Sequence, residues 1–130
     1  MSLDPRALPD DVLAFLRERH LATLTTLRAD GSPHVVAIGF TWDDEARLVR
    51  MITSGSSQKV RNVEAGGGRA AVCQVAGPAW LTLEGPVHVA REPDQVADAV
   101  RRYAERYRQP RINPERVALV IAVDRVLGRP

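Results

Sequence analysis

"HLATLTTLRADGSPHVVAIGFTWDDEARLVRMITS", residues 20–54, is the stretch that decides the fold. Runs rich in Val, Ile, Thr and Leu are broken by "RADGSP" and "DDEA", and Asp30-Gly31 is a strong hairpin signal. The spacing predicts strands over about 21–28, 34–42 and 47–53. Their connections are too short for the crossovers that parallel neighbours need, so the three strands are expected to form an antiparallel meander.

On the N-terminal side, "LPDDVLAFLRERH" (8–20) places a proline and two aspartates before Val12, Leu13, Phe15 and Leu16. Acids at the positive end and an apolar stripe predict a short amphipathic helix lidding one end of the core. On the C-terminal side, "KVRNVEAGGG" carries Val60 and Val63 at helical spacing and runs into Gly66 to Gly68, a two-turn helix with a glycine stop. "RAAVCQVAG" and "AWLTLEGPVHVAR" read as strands, with Gly85-Pro86 marking a bulge or sharp bend in the second. "EPDQVADAVRRYAERYRQ" puts proline near the first helical position and repeats Val96, Ala97, Val100, Tyr103 or Ala104, and Tyr107, an amphipathic helix. A last strand is expected over about 116–126. Six strands in hairpin-rich order with peripheral helices predict a small, mostly antiparallel barrel rather than a doubly wound sheet.

The 130 residues fit one domain, 1–130, able to bury a core unaided. With a net charge of only +2 and arginines scattered along the chain, no basic block calls for nucleic acid. Cys73 is the only cysteine, which excludes an intrachain disulfide and leaves no Cys/His zinc set. No segment reaches the apolar length of a membrane span, and "MSLDPRALPDDVLAF" lacks a signal-peptide core, so a cytoplasmic protein without membrane partners is expected.

Chemistry concentrates in "TSGSSQKVRN", residues 53–62, between the third strand and the short helix. Ser54, Ser56 and Ser57 offer hydroxyl donors, Gly55 allows close backbone approach, and Lys59 adds a full charge, a donor set that suits a phosphate. The same residues also suit a serine N-cap followed by a solvated lysine and arginine. It is not a Walker loop. His20, His34 and His88 are scattered, and no metal site is expected. No nucleophile elbow surrounds any serine, and Asp43, Asp44 and Glu45 fall in a turn where solvation is expected. The lack of an evident acid, base or nucleophile suits chemistry carried by a bound cofactor.

The blocks "HLATLTTLRADGSPHVVAIGFTWD", "TSGSSQKVRN" and "AWLTLEGPV" resemble the split β-barrel flavin and deazaflavin oxidoreductases, the pyridoxamine 5′-phosphate oxidase superfamily, over about residues 10–128. "GSSQKVRN" and "RYAERYRQPRINPERV" resemble its small actinobacterial members that use the deazaflavin coenzyme F420. The resemblance implies a six-stranded split barrel that forms a homodimer with two cofactor sites at the subunit interface. It implies that Ser54, Ser57, Gln58 and Lys59 hold the cofactor phosphate with help from Asn62, and that Thr25, Thr26, Val36, Ala37 and Ile38 lie along the ring system. Trp80 would close the site from the partner subunit or simply pack in the dimer interface. The implied reaction is hydride transfer from reduced F420 to a conjugated small molecule, with biliverdin the expected acceptor. Arg61, Arg106, Arg108 and Arg111 would meet carboxylates of substrate or coenzyme, or form a solvated face. FMN is the alternative cofactor, and a non-enzymatic flavin or deazaflavin carrier the alternative function.

Overall fold

The computed structural model describes residues 2–66 and 68–130. Among them the elements run β1 (Ser2–Leu3), α1 (Asp10–Arg17), β2 (Ala22–Leu27), β3 (Pro33–Ile38), β4 (Thr41–Asp43), β5 (Leu48–Ser54), α2 (Gln58–Glu64), β6 (Arg69–Ala76), β7 (Ala79–Ala90), α3 (Pro93–Arg106), β8 (Arg116–Ala122) and β9 (Arg125–Arg129). All strand pairs are antiparallel. The sheet follows β3-β2-β6-β7-β8-β5-β4, with β9 alongside β7 and β1 alongside β9.

This corrects the expected six-stranded barrel: among the described residues the sheet has nine strands, and its path ends at β3 and β4 without closing. β1 is an addition, and two of the expected strands are each divided. The run over 34–42 breaks after Ile38: β3 pairs with β2, while β4 pairs with β5. The simple meander is corrected with it. The last run breaks after Ala122, β8 lying between β5 and β7 and β9 on the other half of β7. Both breaks are places where the chain leaves one half of the sheet for the other. β7 makes the same passage unbroken: it pairs with β9 through Glu84 and with β8 from Val87 onward, so the change of partner falls on Gly85-Pro86, where the sequence predicts a bend.

The passages are built on contacts that side chains would obstruct. A Cβ on Gly85 would lie 1.9 Å from the Ala122 carbonyl oxygen, and one on Gly39 would lie 3.0 Å from the rings of both Tyr103 and Tyr107. Backbone bonds join the passages, Asp124 N–H donating to Glu84 O at 3.1 Å and Val123 N–H to Arg47 O at 3.0 Å.

Strand alternation supplies the core. Along β2, Ala22, Leu24 and Thr26 are buried while Thr23 and Leu27 are exposed, the period of two a half-buried strand requires. Leu24, Val72, Leu83, Leu119, Ile121 and Val126 are fully buried, each worth about 1.5–3 kcal/mol of transfer free energy as an upper bound. As expected, α1 closes one end with Val12, Phe15 and Leu16, and its first turn holds Asp10 and Asp11. Gln74 sits fully buried beneath it, donating to the Phe15 carbonyl at 2.8 Å. Helix α2 ends as read, Gly66 having φ 91°; Gly67 lies outside the described residues. On α3 the buried position is Ala99, packed with Ala90, Ala118 and Val120, whereas Ala97 is exposed: the inward stripe is Val96, Ala99, Val100 and Tyr103.

Asp43 is not the solvated turn acid expected. Its carboxylate accepts from Arg50 at 2.8 Å and from the turn N–H groups of Glu45 and Ala46 at 3.1 Å. Burial pushes its pKa up, but the Arg50 bond, the Ala46 N–H and the charges of Arg102 and Arg50 together outweigh burial and hold the carboxyl below its ordinary value. Among the described residues no helix is long and apolar enough to cross a membrane.

Candidate functional site

Where the chain passes from β3 to β4, ladder pairing stops and the sheet opens beside the end of β5. The segment between α3 and β8 borders this opening, and together they line an open cavity of about 320 Å³. One wall is Ala37, Ile38 and Gly39; another is Ile52, Thr53 and Ser54; Tyr103 stands at the α3 side, and Lys59 reaches in from α2. Pro110, Asn113 and Arg116 complete the rim.

Lys59 is the electrostatic centre of this space. It is partly buried, and among the described residues neither a carboxylate nor a hydrogen-bond acceptor engages its ammonium. Desolvation alone pushes its pKa below the ordinary lysine value. A half-buried cation facing a cavity is what an anionic group needs to meet, and binding one there would push the lysine's pKa back up.

Of the positions singled out in the sequence, Ala37, Ile38, Ser54 and Lys59 meet on this cavity. Gln58, Asn62 and Thr26 do not line it; they form a ladder running inward. Arg61 Nη2 donates to Gln58 Oε1 at 2.8 Å, Gln58 Nε2 to Asn62 Oδ1 at 2.7 Å, and Asn62 Nδ2 to Thr26 Oγ1 at 3.0 Å. Asn62 and Thr26 are both 2% exposed, so these bonds satisfy polar groups that burial would otherwise penalise. Ser57 occupies the N-cap position of α2 without making a side-chain cap; its Oγ accepts from Thr53 Oγ1 at 3.3 Å. Gly55 does allow a close approach, though to the protein itself, its N–H donating to Glu115 O at 2.8 Å.

Val36 packs against the core. Thr25 and Trp80 lie away from the cavity, Thr25 between Val35 and Ala71 and Trp80 between Val75 and Arg129 in the sheet register. Leu21, Leu27, Val35 and Val75 give the outer sheet face around them an apolar character, being 42–61% exposed.

The arginines divide in the same way. Arg108 and Arg111 are exposed. Arg61 also donates to Ser56 O, and so is held by its own helix start. Arg106 is a structural clasp: it donates to Glu18 O, Phe40 O and Gln74 Oε1, and its guanidinium lies 4.7 Å from the Phe40 ring centre. Beside it, Tyr107 Oη donates to His20 O at 2.6 Å. Together they tie the end of α3 to α1 and to the β3–β4 passage. Arg106→Ala is therefore expected to lower stability by about 2–3 kcal/mol in urea denaturation, leaving ligand affinity of the folded protein within about twofold. A large affinity loss at unchanged stability would return Arg106 to the site.

Sequence reasoning missed Tyr103, Asn113 and Arg116 as cavity residues. Tyr103 is visible only as a helix-face aromatic, and Arg116 as one arginine of many. Asn113-Pro114 does carry a turn signal after α3, but nothing local says that this turn meets Ser54.

A family model described as pyridoxamine 5′-phosphate oxidase matches residues 8–129. The chain belongs to this family. It is 56% identical over 121 residues to the F420H2-dependent biliverdin reductase of Mycobacterium tuberculosis, covering 93% of this chain and 88% of that protein. Among solved structures, an F420 reductase superposes with a TM-score of 0.74 at 24% identity, covering 92% of this chain and 98% of the other. HupZ of group A Streptococcus superposes with a TM-score of 0.76 at 18% identity, covering 94% of each chain. These two superpositions show a shared fold.

Proposed function

We propose that this protein is an F420-dependent oxidoreductase that passes a hydride from the reduced deazaflavin to a conjugated small molecule, biliverdin being the acceptor and bilirubin the product. The observation that carries this reading is the 56% identity, across nearly the whole chain, to an F420H2-dependent biliverdin reductase. The cavity fits it. Lys59 and Ser54 present donors to an anionic group such as the coenzyme phosphate, and Ala37 and Ile38 offer an apolar wall to a ring system. Gln58 and Asn62 hold α2, which carries Lys59, to Thr26 of β2.

When bound, the coenzyme supplies the hydride. The residues lining the cavity would bind and orient it, and the proton for the acceptor would come from water or a nearby arginine.

The functional assembly in this reading is a homodimer of one-domain chains. The apolar outer face carrying Leu21, Val35 and Val75 supports a covered interface, and Trp80 on that face would reach the partner. Sedimentation over a dilution series is expected to give a dimer; a monomer that retains full coenzyme affinity would contradict an interface site.

The test of function is a paired titration with F420 and FMN, followed by reduced F420 with biliverdin under absorbance. Preferential F420 binding, coenzyme oxidation and bilirubin formation are expected. Tight F420 binding without turnover would favour a carrier or another acceptor, and preference for FMN would overturn the coenzyme assignment.

A further inference from the structure

The segment between α3 and β8 does more than border the cavity. Asn113 Nδ2 donates to Ser54 Oγ at 2.9 Å, while its Oδ1 accepts from the Glu115 backbone N–H at 3.0 Å. The second bond settles the first. A backbone N–H can only donate, so the oxygen of the Asn113 amide must face Glu115, and its NH2 must face Ser54. The turn itself is held in place: Arg116 N–H donates to Asn113 O at 3.1 Å, and Gly55 N–H donates to Glu115 O at 2.8 Å.

The consequence falls on Ser54. A hydroxyl has one proton and two lone pairs, and here a lone pair is occupied by an obligate donor. One lone pair remains, but the Ser54 proton meets no protein acceptor among the described residues and is available to the cavity, beside an ammonium that can only donate. We propose that Asn113 is a positioning residue that fills one acceptor site of Ser54 and so biases its hydroxyl toward donating, so that this corner favours ligand atoms that are pure acceptors, such as phosphoryl oxygens. This deepens the reading of the cavity as the coenzyme site and rests on it.

The experiment is a double-mutant cycle on F420 affinity, with Lys59→Ala measured beside it. Asn113→Ser retains an oxygen to accept from Glu115 N–H but is too short to reach Ser54. It is expected to weaken F420 binding about three- to tenfold in the wild-type background, and by less than about twofold when Ser54→Ala is already present. Inorganic phosphate, competing against F420, is expected to lose affinity in parallel.

A purely structural role for Asn113 would weaken binding equally in both backgrounds, and that result, or no weakening in either, overturns the proposal. If Asn113→Ser does not fold, Asn113→Asp keeps the turn and reverses the Ser54 hydroxyl, because the carboxylate can only accept; its loss at neutral pH should shrink in the Ser54→Ala background, and an undiminished loss overturns the proposal. Failure of the site is distinguishable: Lys59→Ala would then leave F420 affinity unchanged.

Discussion

Lys59→Ala is expected to weaken F420 binding by about 1.5–3 kcal/mol, roughly ten- to more than a hundredfold, because a charge-assisted hydrogen bond from a half-buried ammonium to an anion is lost. Isothermal titration at neutral pH reads this directly. Ordinary affinity in the variant would take the coenzyme phosphate away from this cavity. The wild-type protein carries a second signature. Burial lowers the pKa of Lys59 in the free protein, so its charge is lost as pH rises through a value below the ordinary lysine range. The sign follows from which form binds: the ammonium attracts the anion and the amine does not. F420 affinity is therefore full below the lowered pKa and falls as pH rises through it, and this fall should be absent from Lys59→Ala.

The largest loss of stability is expected from Gly85→Ala, about 3 kcal/mol or more in urea denaturation. The added methyl group would sit 1.9 Å from the Ala122 carbonyl oxygen and 2.8 Å from its carbonyl carbon. Both are backbone atoms at the end of β8, so no side chain can swing away to make room, and relief requires moving β7 from β8 at the point where β7 exchanges one partner for another. A wild-type denaturation midpoint would mean that the passage is compliant and that glycine there is incidental.

Much of the architecture was legible along the chain because its cause is local. Alternation in "ATLTTL", the hairpin signal at Asp30-Gly31, the acids before Val12 and the proline opening α3 act over a few residues, and each element appears where those signals put it. Gly85-Pro86 was legible as a bend for the same reason. What the bend accomplishes was not, because changing partners from β9 to β8 depends on strands more than thirty residues further along the chain. Gly39 lies within an apparently continuous apolar run, yet β3 ends just before it, and the rings of Tyr103 and Tyr107 crowd any side chain placed there.

The site divides along the same line. Lys59 and Ser54 could be chosen from sequence, since a lysine and serines clustered after a strand are a recognisable anion-binding composition. Gln58 and Asn62 belong to the same composition, yet Asn62 is buried against Thr26, a residue thirty-six positions away, and Gln58 stays exposed and is bonded to Asn62. Asn113 lies fifty-nine positions from Ser54 and reads as an ordinary turn residue until the fold brings the two to 2.9 Å. By itself, the sequence determined the three helices, the main strand runs in their order and the presence of a donor-rich corner, because propensity, periodicity and residue chemistry act locally. Only the tertiary structure decided which strands pair, where the sheet opens and which of the polar side chains face the opening, because hydrogen-bond partners and buried space are shared between segments that no local pattern connects.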